Sequence, residues 1–210
     1  MNKNIALILA PIFLLAMGGL FVTQSKAYPE PSLVPVSWQF TFTDQVPRTI
    51  SVRGVDGRSY WYWYLPYKVV NHSDAEHYFV PEFTVATDQG DIATANRGIP
   101  PFVFNAIKKR SANRLLEDPL LVSGRLLIGD DLAKESVAIW PVFNHDVDEV
   151  RIFISGLSGE SKTIQVPGTT KRVALRKSLM ITYHTPGTRP AGSSPQDQPI
   201  ILKDRIWVMR

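Results

Sequence analysis

The chain has 210 residues, 44% of them hydrophobic, with 23 basic and 19 acidic side chains, a net charge of +4 and no cysteine. So small a surplus excludes the strong basic footprint of a nucleic-acid or membrane-surface binder. The lack of cysteine excludes disulfide staples and thiol catalysis.

Residues 1–4 carry one lysine and precede an apolar run, 5–22, broken only by Pro11 and the Gly18-Gly19 pair. Residues 23–27 turn polar and end Ser25-Lys26-Ala27, with small side chains at the two positions a signal peptidase must accommodate. The expectation is a secretory signal peptide over 1–27, cleaved after Ala27, which delivers 28–210 to the periplasm or the exterior. No cysteine stands there for lipid attachment. An uncleaved anchor is the alternative, because about 18 apolar residues just span a bilayer; Pro11 and the two glycines weaken that helix. Without Lys3 and Lys26 there remain 21 basic residues against 19 acidic, a net charge of about +2. A core must then hold the chain together without disulfides, which a single domain of this size can do by burying roughly 70% of its unfolded surface. Export without disulfides points to a bacterial envelope.

Residues 36–43 alternate strictly, putting Val36, Trp38, Phe40 and Phe42 on one face of a strand. Ile50 and Val52 mark a second strand, closed by the turn chemistry of Gly54-Val55-Asp56-Gly57. A long strand follows over 60–70. Pro66 cannot donate to a ladder, so this strand is expected at an edge or with a bulge. After a turn at Asn71-His72-Ser73-Asp74, residues 78–87 read as its returning strand, with Pro81 again marking an edge or bulge. Asp88-Gln89-Gly90-Asp91 closes it. Pro100-Pro101 then opens a short helix over 101–110, with Val103 and Ile107 on one face and Lys108-Lys109-Arg110 at its end. Strands resume at 124–128, 136–143, 149–155, 164–166, 173–183 and 200–209. Between the last two, residues 185–199 are rich in Pro, Gly, Ser and Gln and read as a mobile hairpin loop. Nine or ten short strands with one inserted helix predict an all-β, antiparallel β-sandwich of Ig-like kind; helices are too few for a doubly wound sheet.

Three stretches carry a likeness across residues 60–166. The first is the strand ending Val69-Val70-Asn71-His72-Ser73, and the second is the closure Asp88-Gln89-Gly90. The third is the Gly-bounded series Leu126-Leu127-Ile128-Gly129, Ser136-Val137-Ala138-Ile139-Trp140-Pro141 and Val150-Arg151-Ile152-Phe153-Ile154-Ser155-Gly156-Leu157. In these the chain resembles bacterial exported Ig-like domains found in lipoproteins and cell-surface proteins. It departs from them in its proline-led helix and in having no lipid-anchoring cysteine. The resemblance implies an extracytoplasmic accessory or interaction domain.

Tyr60-Trp61-Tyr62-Trp63-Tyr64 is the most unusual run. In a strand the tryptophans face one way and the tyrosines the other. Trp61 and Trp63 are read as core anchors, with the tyrosines packed under a loop. The functional alternative makes Tyr60, Tyr62 and Tyr64 a solvent-accessible platform for a sugar or peptide. His72, Asp74, Glu76 and His77 are chemically adequate metal ligands but sit in a turn, where soluble residues collect anyway. Asp130-Asp131 and Asp146, Asp148 and Glu149 fit solvated loops better than calcium sites. Ser158, in Gly156-Leu157-Ser158-Gly159-Glu160, has the wrong glycine spacing for a nucleophile elbow. The remaining enzymatic route is a carboxylate pair acting on a glycoside, with Glu82 its candidate; 108–110, the densest basic cluster, reads as a solvated helix end, with an anionic partner such as a surface polysaccharide as the alternative. The expectation is a non-enzymatic domain without metal or cofactor. Its partner is expected to be another envelope or extracellular protein; a carbohydrate-binding module using the tyrosine face is the alternative.

Overall fold

The computed structural model describes residues 29–142, 147–185 and 200–210. The predicted signal segment, Asp146 and nearly all of the 185–199 loop lie outside them. Among the described residues the strands are β1 (Thr41–Asp44), β2 (Arg48–Arg53), β3 (Ser59–Val70), β4 (His77–Phe79), β5 (Glu82–Thr87), β6 (Ile92–Thr94), β7 (Gly124–Leu126), β8 (Lys134–Pro141), β9 (Glu149–Ser155), β10 (Ser161–Gln165), β11 (Arg172–His184) and β12 (Ile201–Met209), with one α-helix, α1 (Pro101–Ser111), between β6 and β7.

They build an antiparallel sandwich. In the first sheet β3 is central: β1 and β2 pair with successive parts of one side of it and β8 with the other. The second sheet runs β6-β5-β9-β11-β12, and β10 continues the line of β9 along β11. A two-stranded ribbon, β4-β7, stands beside them.

The period of two decides what the sheets bury between them. From the first sheet Phe42, Trp63, Leu65, Tyr67, Val69, Ala138 and Trp140 point inward; from the second Phe83, Val85, Val150, Ile152, Ile154, Leu179, Ile181 and Tyr183 meet them. Each fully buried large side chain contributes about 1.5–3 kcal/mol. The opposite face of the first sheet is apolar too, through Ile50, Tyr62, Tyr64, Val137 and Ile139. It is covered by Val103, Phe104 and Ile107 of α1, with Leu116. The helix starts where Pro101 removes a redundant donor and ends at Ala112 in the left-handed region, with Lys108, Lys109 and Arg110 on its negative end.

Polar clasps join the layers. Asp44 on β1 accepts from the Tyr183 hydroxyl of β11 at 2.7 Å and from Arg205 of β12, whose guanidinium also donates to the Phe42 carbonyl at 2.8 Å. Lys177 and Glu160, both buried, pair at 3.0 Å. Ser32 closes that pair from the N-terminal side: its N–H donates to Glu160 Oε1 at 2.8 Å and its carbonyl accepts from Lys177 Nζ at 3.1 Å. These bonds, the Ser32 N–H first, hold the Glu160 carboxyl below its ordinary pKa.

Several sequence expectations are corrected. Pro66 is not on an edge: β3 is the central strand. It is tolerated because it falls opposite the β1–β2 connection, where its carbonyl accepts from Gln45 N–H at 3.0 Å and no ladder donor is required. Residues 78–87 do not return along β3 as one strand; Val80-Pro81 break them into β4 and β5, in different sheets. The run 36–43 keeps its alternation but changes partners. Trp38 and Phe40 bond to Gly159 and Leu157, and pairing with β3 begins only at Thr41. Val36 stays exposed. Among the described residues there are twelve strands where about nine or ten were expected, because short pieces such as β4 and β6 carry little pattern of their own. The helix lies where it was expected.

Candidate functional site

The predicted tyrosine platform does not form. Tyr60 is exposed, with its hydroxyl on Asp56 at 2.6 Å, whereas Tyr62 and Tyr64 lie at 8% and 3% exposure beneath α1. Tyr62 and Tyr64 are therefore packed under a helix, where a loop was expected for all three tyrosines. Trp63 is a core anchor, while Trp61 is only half-buried.

The His72 turn disperses its ligands. His72 sits between Thr41 Oγ1 at 2.9 Å and Asp130 Oδ1 at 3.2 Å, Glu76 pairs with Arg125 at 3.2 Å, and His77 stacks on Trp38 with centroids 4.8 Å apart. Among the described residues no three histidines or carboxylates are grouped to hold a metal ion. Glu149 holds Arg151 and Lys203, each at 2.6 Å, and those bonds keep its carboxyl below the ordinary pKa. Ser158 Oγ accepts from the Glu160 N–H at 3.1 Å, closing a turn. In the basic cluster, Lys108 donates to the Leu116 carbonyl and Arg110 to the Thr49 carbonyl, so both serve the helix docking.

What remains open is the outer face of the second sheet. Glu82 and Thr84 from β5, Phe153 and Ser155 from β9, Arg176 and Ser178 from β11, and Arg210 just past β12 line a recess of about 220 Å³. Strand parity puts them there: the residues that alternate with them along the strands, Phe83, Ile154 and Lys177, point inward and are buried. Arg176 and Arg210 exchange two backbone hydrogen bonds, at 2.7 and 3.0 Å, and are therefore directly opposed with side chains on one face. The Arg210 guanidinium lies over the Phe153 ring, 4.3 Å from its centroid. Neither guanidinium, nor the Glu82 carboxylate, makes an ion pair or a side-chain hydrogen bond to another described residue.

A second recess, of about 310 Å³, adjoins the first at Arg176 and is walled by Trp38, Tyr78, Val80, Gly156, Ser158, Gly159, Glu160 and Ser161. Two glycines let it exist. A Cβ on Gly156, which has φ +83, would stand 2.3 Å from the Val80 carbonyl oxygen, and one on Gly159 would meet the Trp38 ring at 2.4 Å. Tyr78 and Val80 are 66% and 61% exposed at its rim.

No family model, curated protein or solved structure matches this chain. The reading of the site rests on its own geometry. Sequence reasoning found Glu82 and the 156–159 turn but not their neighbours. The hairpin of the last two strands was expected; the signal the sequence lacked was its register, which brings Arg176 beside Arg210.

Proposed function

We propose that this chain is an exported, non-enzymatic recognition domain of Ig-like kind, acting in the periplasm or outside the cell, that binds another envelope or extracellular protein through the outer face of its second sheet. The Arg176–Arg210 pair carries this reading. Like charges directly opposed across a ladder destabilise a sheet, and no carboxylate of the described residues forms an ion pair with them. An unfavourable pair kept beside an unpaired Glu82, in a recess bounded by an exposed aromatic rim, is the arrangement of a surface that meets its counter-charges on a partner. The groups that elsewhere suggest chemistry support the same reading, since Ser158, His72 and Glu149 are engaged in holding loops and strands. Export is supported by the leader pattern of residues 1–27, and the lack of cysteine narrows it to a core-stabilised bacterial domain.

The test is quantitative capture from an envelope extract by three immobilised forms: wild type, Arg176→Gln, and Lys109→Gln on the helix side. A protein retained by wild type and Lys109→Gln but at least ten-fold depleted on Arg176→Gln is expected. Equal retention by all three, or selective glycan-array binding with no protein retained, contradicts the proposal.

A further inference from the structure

Resting on that groove reading, we infer that the occupant of the two recesses is an extended peptide segment of the partner carrying one acidic residue. Its carboxylate sits between Arg176 and Arg210, and an apolar side chain two positions away sits against Tyr78 and Val80. A guanidinium is a rigid planar donor that matches a carboxylate in two parallel bonds. Arg210 is already held over the Phe153 ring, which lowers the ordering cost of receiving the anion. The hydroxyls of Thr84 and Ser155 line the same recess and supply further polar contacts, while that of Ser178 donates to the Arg176 carbonyl.

Glu82 sets the specificity. Its carboxylate offsets part of the charge of the two guanidiniums in the recess, which leaves room for a single acid and sets a like charge against a run of them. A polyanionic glycan or a phosphate chain is therefore disfavoured, while the Glu82 oxygens remain available to the N–H donors of a peptide backbone. The adjoining recess differs in character, with Tyr78 and Val80 exposed at its rim and the half-buried Trp38 in its wall. Side chains at positions i and i+2 of an extended chain project to the same side about 7 Å apart, so one short segment reaches both recesses across Arg176.

The experiment is an amide NMR titration of the 28–210 chain with three probes: acetyl-Gly-Leu-Gly-Asp-Gly-amide, the same peptide with Asn for Asp, and a hexuronate oligosaccharide. The acidic peptide is expected to shift the amides of Phe153, Ser155, Arg176 and Ser178, and to bind at least ten-fold more tightly than its Asn counterpart. Arg176→Gln should abolish that ten-fold difference while leaving the rest of the spectrum unchanged. Glu82→Gln should admit a doubly acidic peptide at least five-fold better than wild type does. Equal binding of the Asp and Asn peptides, or tighter binding of the oligouronate at these amides, overturns the inference and leaves the groove reading standing. No shift at these amides with any probe also overturns it, and the extract capture with Arg176→Gln then decides the groove reading separately.

Discussion

The two outer faces of this sandwich begin from the same alternating strands and end in opposite conditions. The outer face of the first sheet presents Ile50, Tyr62, Tyr64, Val137 and Ile139, and α1 lies over it. The outer face of the second presents Glu82, Thr84, Ser155, Arg176 and Ser178 and keeps its recess open. Aromatic content alone therefore does not mark a binding face. The richer aromatic strand, β3, is covered because its apolar surface is worth more against a helix than against water, while the sparser polar face stays free.

The comparison can be broken at several points. The largest effect is expected where a charge is buried: Lys177→Ala leaves Glu160 uncompensated and should cost about 3–5 kcal/mol, read as a lowered urea midpoint with unchanged slope. Ile107→Ala, at the centre of the helix contact, should cost about 2–5 kcal/mol. It should also expose Tyr62 and Tyr64 to tyrosine-selective modification while leaving Phe153 and Arg176 amide shifts in place; loss of both faces together would show that they are not separable. Gly156→Ala forces a side chain into left-handed backbone against the Val80 carbonyl and should cost about 1–3 kcal/mol in the same assay. At the small end, Arg176→Gln should change stability by no more than about 0.5 kcal/mol, or raise it slightly by relieving the opposed charges. A strongly destabilised Arg176→Gln would mean that the arginine serves the fold.

Stability should also titrate from both sides. Glu160 is lowered below its unfolded pKa, chiefly by the Ser32 N–H; its contribution is complete above about pH 5 and is lost as pH falls through the folded value. Tyr67 and Tyr183 are raised, chiefly by burial; their contribution is complete below about pH 10 and is lost as pH rises beyond it. Urea midpoints measured from pH 3 to 11 should fall at both ends, and Glu160→Gln should flatten only the acid limb.

Much of the fold was legible because local chemistry and global packing agree. Val150, Ile152 and Ile154 share a face in the sequence and in the core, and Pro101 opens the helix where proline chemistry requires. The misreadings occur where tertiary pairing overrides a local rule. Pro66 is tolerated in a central strand only because two shorter strands meet opposite it, and Tyr62 and Tyr64 lose their exposure to a helix some forty residues further along the chain. The candidate site was the least legible part. Its members are scattered from Trp38 to Arg210, none of them stands in a motif, and β-sheet register alone assembles them.

The most direct test of the central claim is oxidative footprinting of both outer faces, with and without the captured partner. Protection is expected at Tyr78 on the β4–β7 ribbon and at Phe153 and Met180 on the second sheet, with no change at Tyr60 and Phe102 on the helix side. Protection confined to Tyr60 and Phe102 would contradict it.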